Sequence, residues 1–237
     1  MWFVVRSFAA IVLGSLGLSG CADDATSSSS GGGGSSSTGP SCTLPFAGDE
    51  GQEPVLEAFF LDISDSDQPI VDGSVLDLIE PPQGGRVAFV GARVFNMSPC
   101  GAQLTAEIKD PVSGAVRFET RSVALEPDAD GYLTIKAGQI AAYSNVPLCF
   151  NTWSDQSLFD GDFELEVRVE SEGRIAKANF NITMQCTDKS LADNTSTPEP
   201  GAVLNNCLCT CKADYVLGEP CDSSMGGSGA GGAGGGL

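Results

Sequence analysis

Between residues 163 and 170 the chain alternates without a break. Phe163, Leu165, Val167 and Val169 are apolar, while Glu164, Glu166, Arg168 and Glu170 are charged. A period of two sends successive side chains to opposite faces, so this run predicts a strand with one buried and one wet face. Ser171-Glu172-Gly173 supplies a turn. Alternation then resumes, with Ala176, Ala178, Phe180, Ile182 and Met184 on one face and Lys177, Asn179, Asn181 and Thr183 on the other. A second hairpin is expected from Leu104, Ala106 and Ile108 to Val116 and Phe118, across Asp110-Pro111-Val112-Ser113-Gly114. Residues 87–97 begin apolar on both faces, the pattern of a central strand. Residues 58–63 and 132–135 read as shorter strands, and residues 139–144 leave room for one or two helical turns.

About seven short strands over roughly 140 residues predict an all-β fold, an immunoglobulin-like antiparallel β-sandwich. Trp153 follows Cys149 instead of lying between two paired cysteines, so the strand pattern carries this reading without the immunoglobulin signature.

The ends of the chain follow other rules. Residues 1–20 have the parts of a secretory leader: Arg6 as the positive region, then an apolar run from Phe8 to Leu18. That run is shorter than the roughly 20 apolar residues a spanning helix needs. It ends in Leu18-Ser19-Gly20-Cys21. This tetrad resembles the lipobox of bacterial lipoproteins. The resemblance implies cleavage before Cys21, a diacylglycerol on its sulfur and acylation of its freed amine. Residues 21–41 then form the lipidated cysteine and a Ser/Gly tether. Such a run has almost nothing to bury, and as a flexible coil its 20 residues reach roughly 25 Å. The implied location is outside the cytoplasm, on the cell membrane or the outer membrane, with the membrane itself as a partner through the lipid.

Residues 42–186 hold the predicted sandwich, 187–221 a linker and a cysteine-rich segment, and 222–237 a Gly-rich tail expected to be disordered. Gly84-Gly85-Arg86-Val87, residues 96–101 and the terminal cysteine cluster resemble envelope lipoproteins of the myxobacterial kind, a resemblance that implies no particular activity.

Nine cysteines are present. With Cys21 assigned to lipid, Cys42, Cys100, Cys149, Cys186, Cys207, Cys209, Cys211 and Cys221 remain, and an even set in an exported chain reads as disulfides. If Cys207-Leu208-Cys209-Thr210-Cys211 is extended, neighbouring cysteines lie about 6.5 Å apart at Cα, near the limit for bridging. Their partners are then Cys221 and cysteines outside the tail, such as Cys42 or Cys186. Cys100 with Cys149 is the expected bridge inside the sandwich. A thiolate zinc site wants wider C-x₂₋₄-C spacing, often with His, so no metal is expected.

Charge and composition narrow the function. The chain carries 31 acids against 12 Lys+Arg, and no basic residue lies between Arg6 and Arg86. Such a surface repels nucleic acid and anionic head groups. With no histidine, Ser-His, Cys-His and His-metal arrangements are excluded. No catalytic residue, cofactor or enzymatic activity is expected. Asp65-Ser66-Asp67 and Asp128-Ala129-Asp130-Gly131 depart from the calcium-loop frame, the first at Pro69, the second by reading as a turn into a strand. The leading expectation is a non-catalytic binding module with a protein or glycan partner. The alternatives are a structural envelope component without a discrete ligand, and divalent-cation (calcium) binding through acidic loops.

Overall fold

The structure, a computed structural model, describes residues 44–136, 138–191 and 201–221. Cys21 and Cys42, with the leader, the tether and the Gly-rich tail, lie outside the described residues. The described residues belong to one compact unit.

The fold is mostly β, with eleven strands. They are β1 (Val55–Leu61), β2 (Asp67–Pro69), β3 (Ser74–Glu80), β4 (Arg86–Phe95), β5 (Gln103–Lys109), β6 (Val116–Ser122), β7 (Leu125–Pro127), β8 (Leu133–Ile135), β9 (Ser144–Cys149), β10 (Phe163–Ser171) and β11 (Arg174–Ser190). One helix, α1 (Ala202–Thr210), follows. The main path runs β2-β1-β4-β3-β11-β10-β5-β6, with β8 and β9 on the other side of β4 and β7 beside β8.

The alternating run forms β10, and its return strand is β11. Glu172 (φ 47°) and Gly173 (φ 79°) make the two-residue link. Two consecutive positive φ values match the right-handed twist of the flanking strands. On the inner face Leu165 lies opposite Ile108, Val167 opposite Ala106 and Val169 opposite Leu104 of β5. Val90, Ala92 and Val94 of β4 belong to the same buried core. Burial of each Val or Leu contributes about 1.5–3 kcal/mol relative to exposure.

The central-strand pattern at residues 87–97 has its cause in β4. This strand is flanked by β1 and β3 along one edge and by β8 and β9 along the other. All pairings are antiparallel except β3 with β11. That pairing joins the two halves of the β structure, and no run of turn residues announces it. Strands β2, β3, β7 and β9 are additional to those expected. The helical stretch at 139–144 is a single 3₁₀ turn, Ile140–Ala142.

Two expectations about the cysteines are corrected. Cys149 is bonded to Cys211, not to Cys100. Cys149 lies opposite Arg86 at the start of β4, whereas Cys100 follows its other end. A ten-residue strand of about 3.3 Å per residue separates them, far beyond disulfide reach. The cysteine triplet is also not extended: Cys207 and Cys209 lie within α1, and Cys211 caps it. Helical spacing puts Cys207 and Cys211 on one face and turns Cys209 away. Cys186 accordingly bonds Cys207, and Cys209 bonds Cys221.

The segment between β9 and β10 is held from both sides. On one side is Asp110, fully buried after β5. It accepts hydrogen bonds from Val112 N–H, Ser113 Oγ, Ser154 Oγ, Asp155 N–H and Gln156 Nε2, at 2.8–3.1 Å. Burial alone raises a carboxyl's affinity for its proton. Here the bonds from Ser113, Val112, Ser154 and Asp155 outweigh it and hold Asp110 far below the ordinary carboxylate range. On the other side, Asn151 Nδ2 donates to Lys212 O, and Asn151 and Leu158 N–H donate to Thr210 O and Cys211 O. At the start of α1, Asp188 of β11 accepts from Leu204 N–H, supplying a cap from outside the helix.

Candidate functional site

A groove of about 630 Å³ runs along the β1–β2 side of the fold, lined also by residues of β4, β8 and β11. Its apolar lining includes Leu56, Phe59, Ile70, Val71, Ile135 and Phe180. The position of Phe59 follows from register. It lies opposite Gly91 of β4, and a Cβ there would stand 2.2 Å from the Phe59 ring. Gly91 therefore lets the ring lie across β4. The ring meets Tyr143 edge-on at 6.0 Å, and Tyr143 packs in the same way on Phe89. Tyr143 is fully buried, and its hydroxyl donates to Asp67 of β2. Burial, reinforced by Asp67, pushes its phenol well above the ordinary range, so it stays a neutral donor.

Charge at the groove centres on Arg93. On β4 it lies between Glu57 of β1 and Thr134 of β8. Its Nε and Nη2 donate to one Glu57 oxygen at 2.7 and 2.6 Å, and Nη1 reaches Asp128 at 3.4 Å and Asp130 at 3.3 Å. The guanidinium stands 4.6 Å from the Tyr132 ring centroid, within cation–π range. Hydrogen bonding to Glu57 raises the affinity of Arg93 for its proton. One cation thus faces three carboxylates beside an apolar floor. A lone arginine within the apolar 87–97 run was the signal available in sequence.

The Asp128-Ala129-Asp130-Gly131 motif, expected as a turn into a strand, is a turn ahead of β8. Asp128 Oδ1 accepts from Asp130 and Tyr132 N–H, and its other oxygen faces Arg93. Asp62 Oδ1 accepts from Ser64 and Ser66 N–H, and Asp65 pairs with Lys189 at 2.8 Å. A second depression, of about 500 Å³, lies on the wet face of β5, β10 and β11 and includes the Lys109–Glu164 pair at 2.7 Å.

Six of the cysteines expected in disulfides pair as described above. Cys100 is disulfide-bonded to a partner outside the described residues. The two bridges that dock α1 are neighbours: Cys207 Sγ lies 3.6 Å from Cys211 Sγ. Among the described residues, Cys186, Cys207 and Cys211 form the one group of three or more metal-ligand side chains that converges. Sequence spacing did not reveal this, because the group is assembled from a strand and a helix. No family model, no curated protein and no solved structure matches this chain.

Proposed function

We propose that the chain is a lipid-anchored envelope lipoprotein whose β domain acts as a non-catalytic binding module. The anchor is lipid on Cys21 after removal of residues 1–20, and residues 22–41 act as the stalk. The domain stands outside the cytoplasm on the cell membrane or the outer membrane, and its immunoglobulin-like character is part of this reading. The observation that carries the binding role is the groove. It combines an apolar floor with a few placed charges, the composition typical of recognition sites. The complete absence of histidine supports recognition over catalysis. The partner is a protein or glycan segment that covers the Phe59–Val71 floor and engages the Arg93 cluster.

Two experiments test this. Cys21→Ser should release the protein into the soluble fraction or leave an uncleaved precursor; membrane attachment at mature size defeats the lipoprotein assignment. For the groove, a photo-crosslinking residue at Val71, 60% exposed within it, is compared with one at Val112, 71% exposed elsewhere. Adducts in intact envelopes should form at Val71 and disappear with Arg93→Ala. Equal labelling at both positions, or none at Val71, refutes the module.

A further inference from the structure

Three cysteine sulfurs converge beneath α1, those of Cys186, Cys207 and Cys211, and a fourth cysteine, Cys149, is bonded to Cys211. Cys207 and Cys211 are both fully buried and lie one helical turn apart on the same face. Each bonds a cysteine of the β structure: Cys211 to Cys149 at the end of β9, and Cys207 to Cys186 in β11. The Cα atoms of the two bridges are 5.1 and 5.7 Å apart. Across the bridges, Cys207 and Cys211 sulfurs are 3.6 Å apart, and Cys186, Cys207 and Cys211 sulfurs all lie within 4.8 Å of one another. In a tetrahedral zinc site with Zn–S about 2.3 Å, neighbouring sulfurs stand about 3.8 Å apart. The contact between bridges already has that spacing. Opening each bridge requires its two sulfurs to separate by less than 2 Å, roughly what side-chain rotation supplies.

We propose that Cys149, Cys186, Cys207 and Cys211 form a tetrathiolate zinc site when both disulfides are reduced. Two equivalents of a dithiol, oxidised to its disulfide, or of a phosphine with two waters, oxidised to its phosphine oxide, deliver four electrons and four protons and open the bridges to four thiols. Zinc then displaces the four thiol protons, leaving a centre of net charge −2. Arg86 is a buried cation on the elements that carry these cysteines, and its guanidinium also lies 3.9 Å from Glu80. It is the cross-strand partner of Cys149. Its guanidinium donates to Lys189 O in β11, the strand of Cys186, and to Val203 O in α1, the helix of Cys207. Its side chain is fully buried, and its Nε–H has no acceptor among the described residues. A buried cation touching the same strands and helix favours a negative cluster there, and an uncommitted N–H is a donor of the kind that supports metal-bound thiolates. Oxidised, the four residues staple α1 by two bridges; reduced, zinc holds the same four points.

The test uses the full chain in detergent, reduced anaerobically with a phosphine, freed of it and titrated with cobalt(II). One cobalt per chain should bind with the thiolate charge-transfer and ligand-field bands of a tetrahedral site, and zinc should displace it. The Cys209→Ser/Cys221→Ser double variant should retain these bands, and Cys207→Ser should lose them. A measurement without variants guards against misfolding: zinc should protect Cys149, Cys186, Cys207 and Cys211 of the reduced wild-type chain from alkylation while Cys209 and Cys221 are labelled. The proposal is overturned by absent tetrahedral bands in the reduced wild type, by bands that survive Cys207→Ser, or by protection that is absent or falls on Cys209 and Cys221.

Discussion

Replacing Asp110 by alanine should be among the most destabilising single changes outside the cysteines. Five donors from two segments converge on its carboxylate. Bonds to a charged acceptor contribute about 1.5–3 kcal/mol each, though not additively. Val112 and Asp155 are exposed residues and their N–H groups can turn to water, but Ser154 is buried and is left with one acceptor fewer. A loss of about 3 kcal/mol follows, in line with breaking a buried charge network. For a chain of this size that corresponds to a fall of about 6–12 °C in Tm. The pH dependence separates this cause from simple loss of packing. The folded-state affinity of Asp110 for its proton is depressed. Its stabilisation is therefore fully present above the unfolded value of 3.8 and is lost as pH falls below it toward the folded value. Asp110→Asn keeps the shape without the charge. In urea melts, the stability gap between wild type and Asp110→Asn should be constant above about pH 5 and close below 3.8 by up to about 1.4 kcal/mol per pH unit. A gap that persists unchanged at acid pH, or an alanine variant within 1 kcal/mol of wild type, would refute the account.

Other outcomes follow from the same structure. Gly91→Val should displace the Phe59 ring and cost about 1–3 kcal/mol by overpacking, read as a lower urea midpoint; an unchanged midpoint means that the ring is not held there. Removing both cysteines of the Cys149–Cys211 bridge, separated by 62 positions, should cost about 4 kcal/mol by chain entropy. Removing the Cys209–Cys221 bridge, separated by 12, should cost about 3 kcal/mol, and calorimetry showing the reverse order contradicts this reasoning. Arg93→Ala should change stability by less than about 1 kcal/mol, because its side chain is 32% exposed and its ion pairs are screened. A larger loss in thermal melts would make Arg93 a structural residue instead of a recognition residue.

Much of the β structure was legible from local pattern. The β10–β11 and β5–β6 hairpins are contiguous, so the same few residues carry the alternation, the turn and the register. The strands additional to those expected lack this property. β2 and β7 have three residues each, too few to show a period. β3 is buried at four consecutive positions, so it does not alternate. The cysteine tail differs from its expected extended form because a C-x-C-x-C spacing is compatible with strand or helix, and here a long-range cap from Asp188 and two bridges to the β structure favour the helix.

By itself, then, the sequence determined the all-β class, the two main hairpins and the strongly acidic composition, because each depends on residue counts or on neighbours a few residues apart. Only the tertiary structure decided which cysteines pair, where α1 docks, that Arg93 faces Glu57, Asp128 and Asp130, and that Gly91 makes room for Phe59. Those relations join residues from different strands and loops. They are set by register across the β structure and by packing around one core, which a local pattern does not encode.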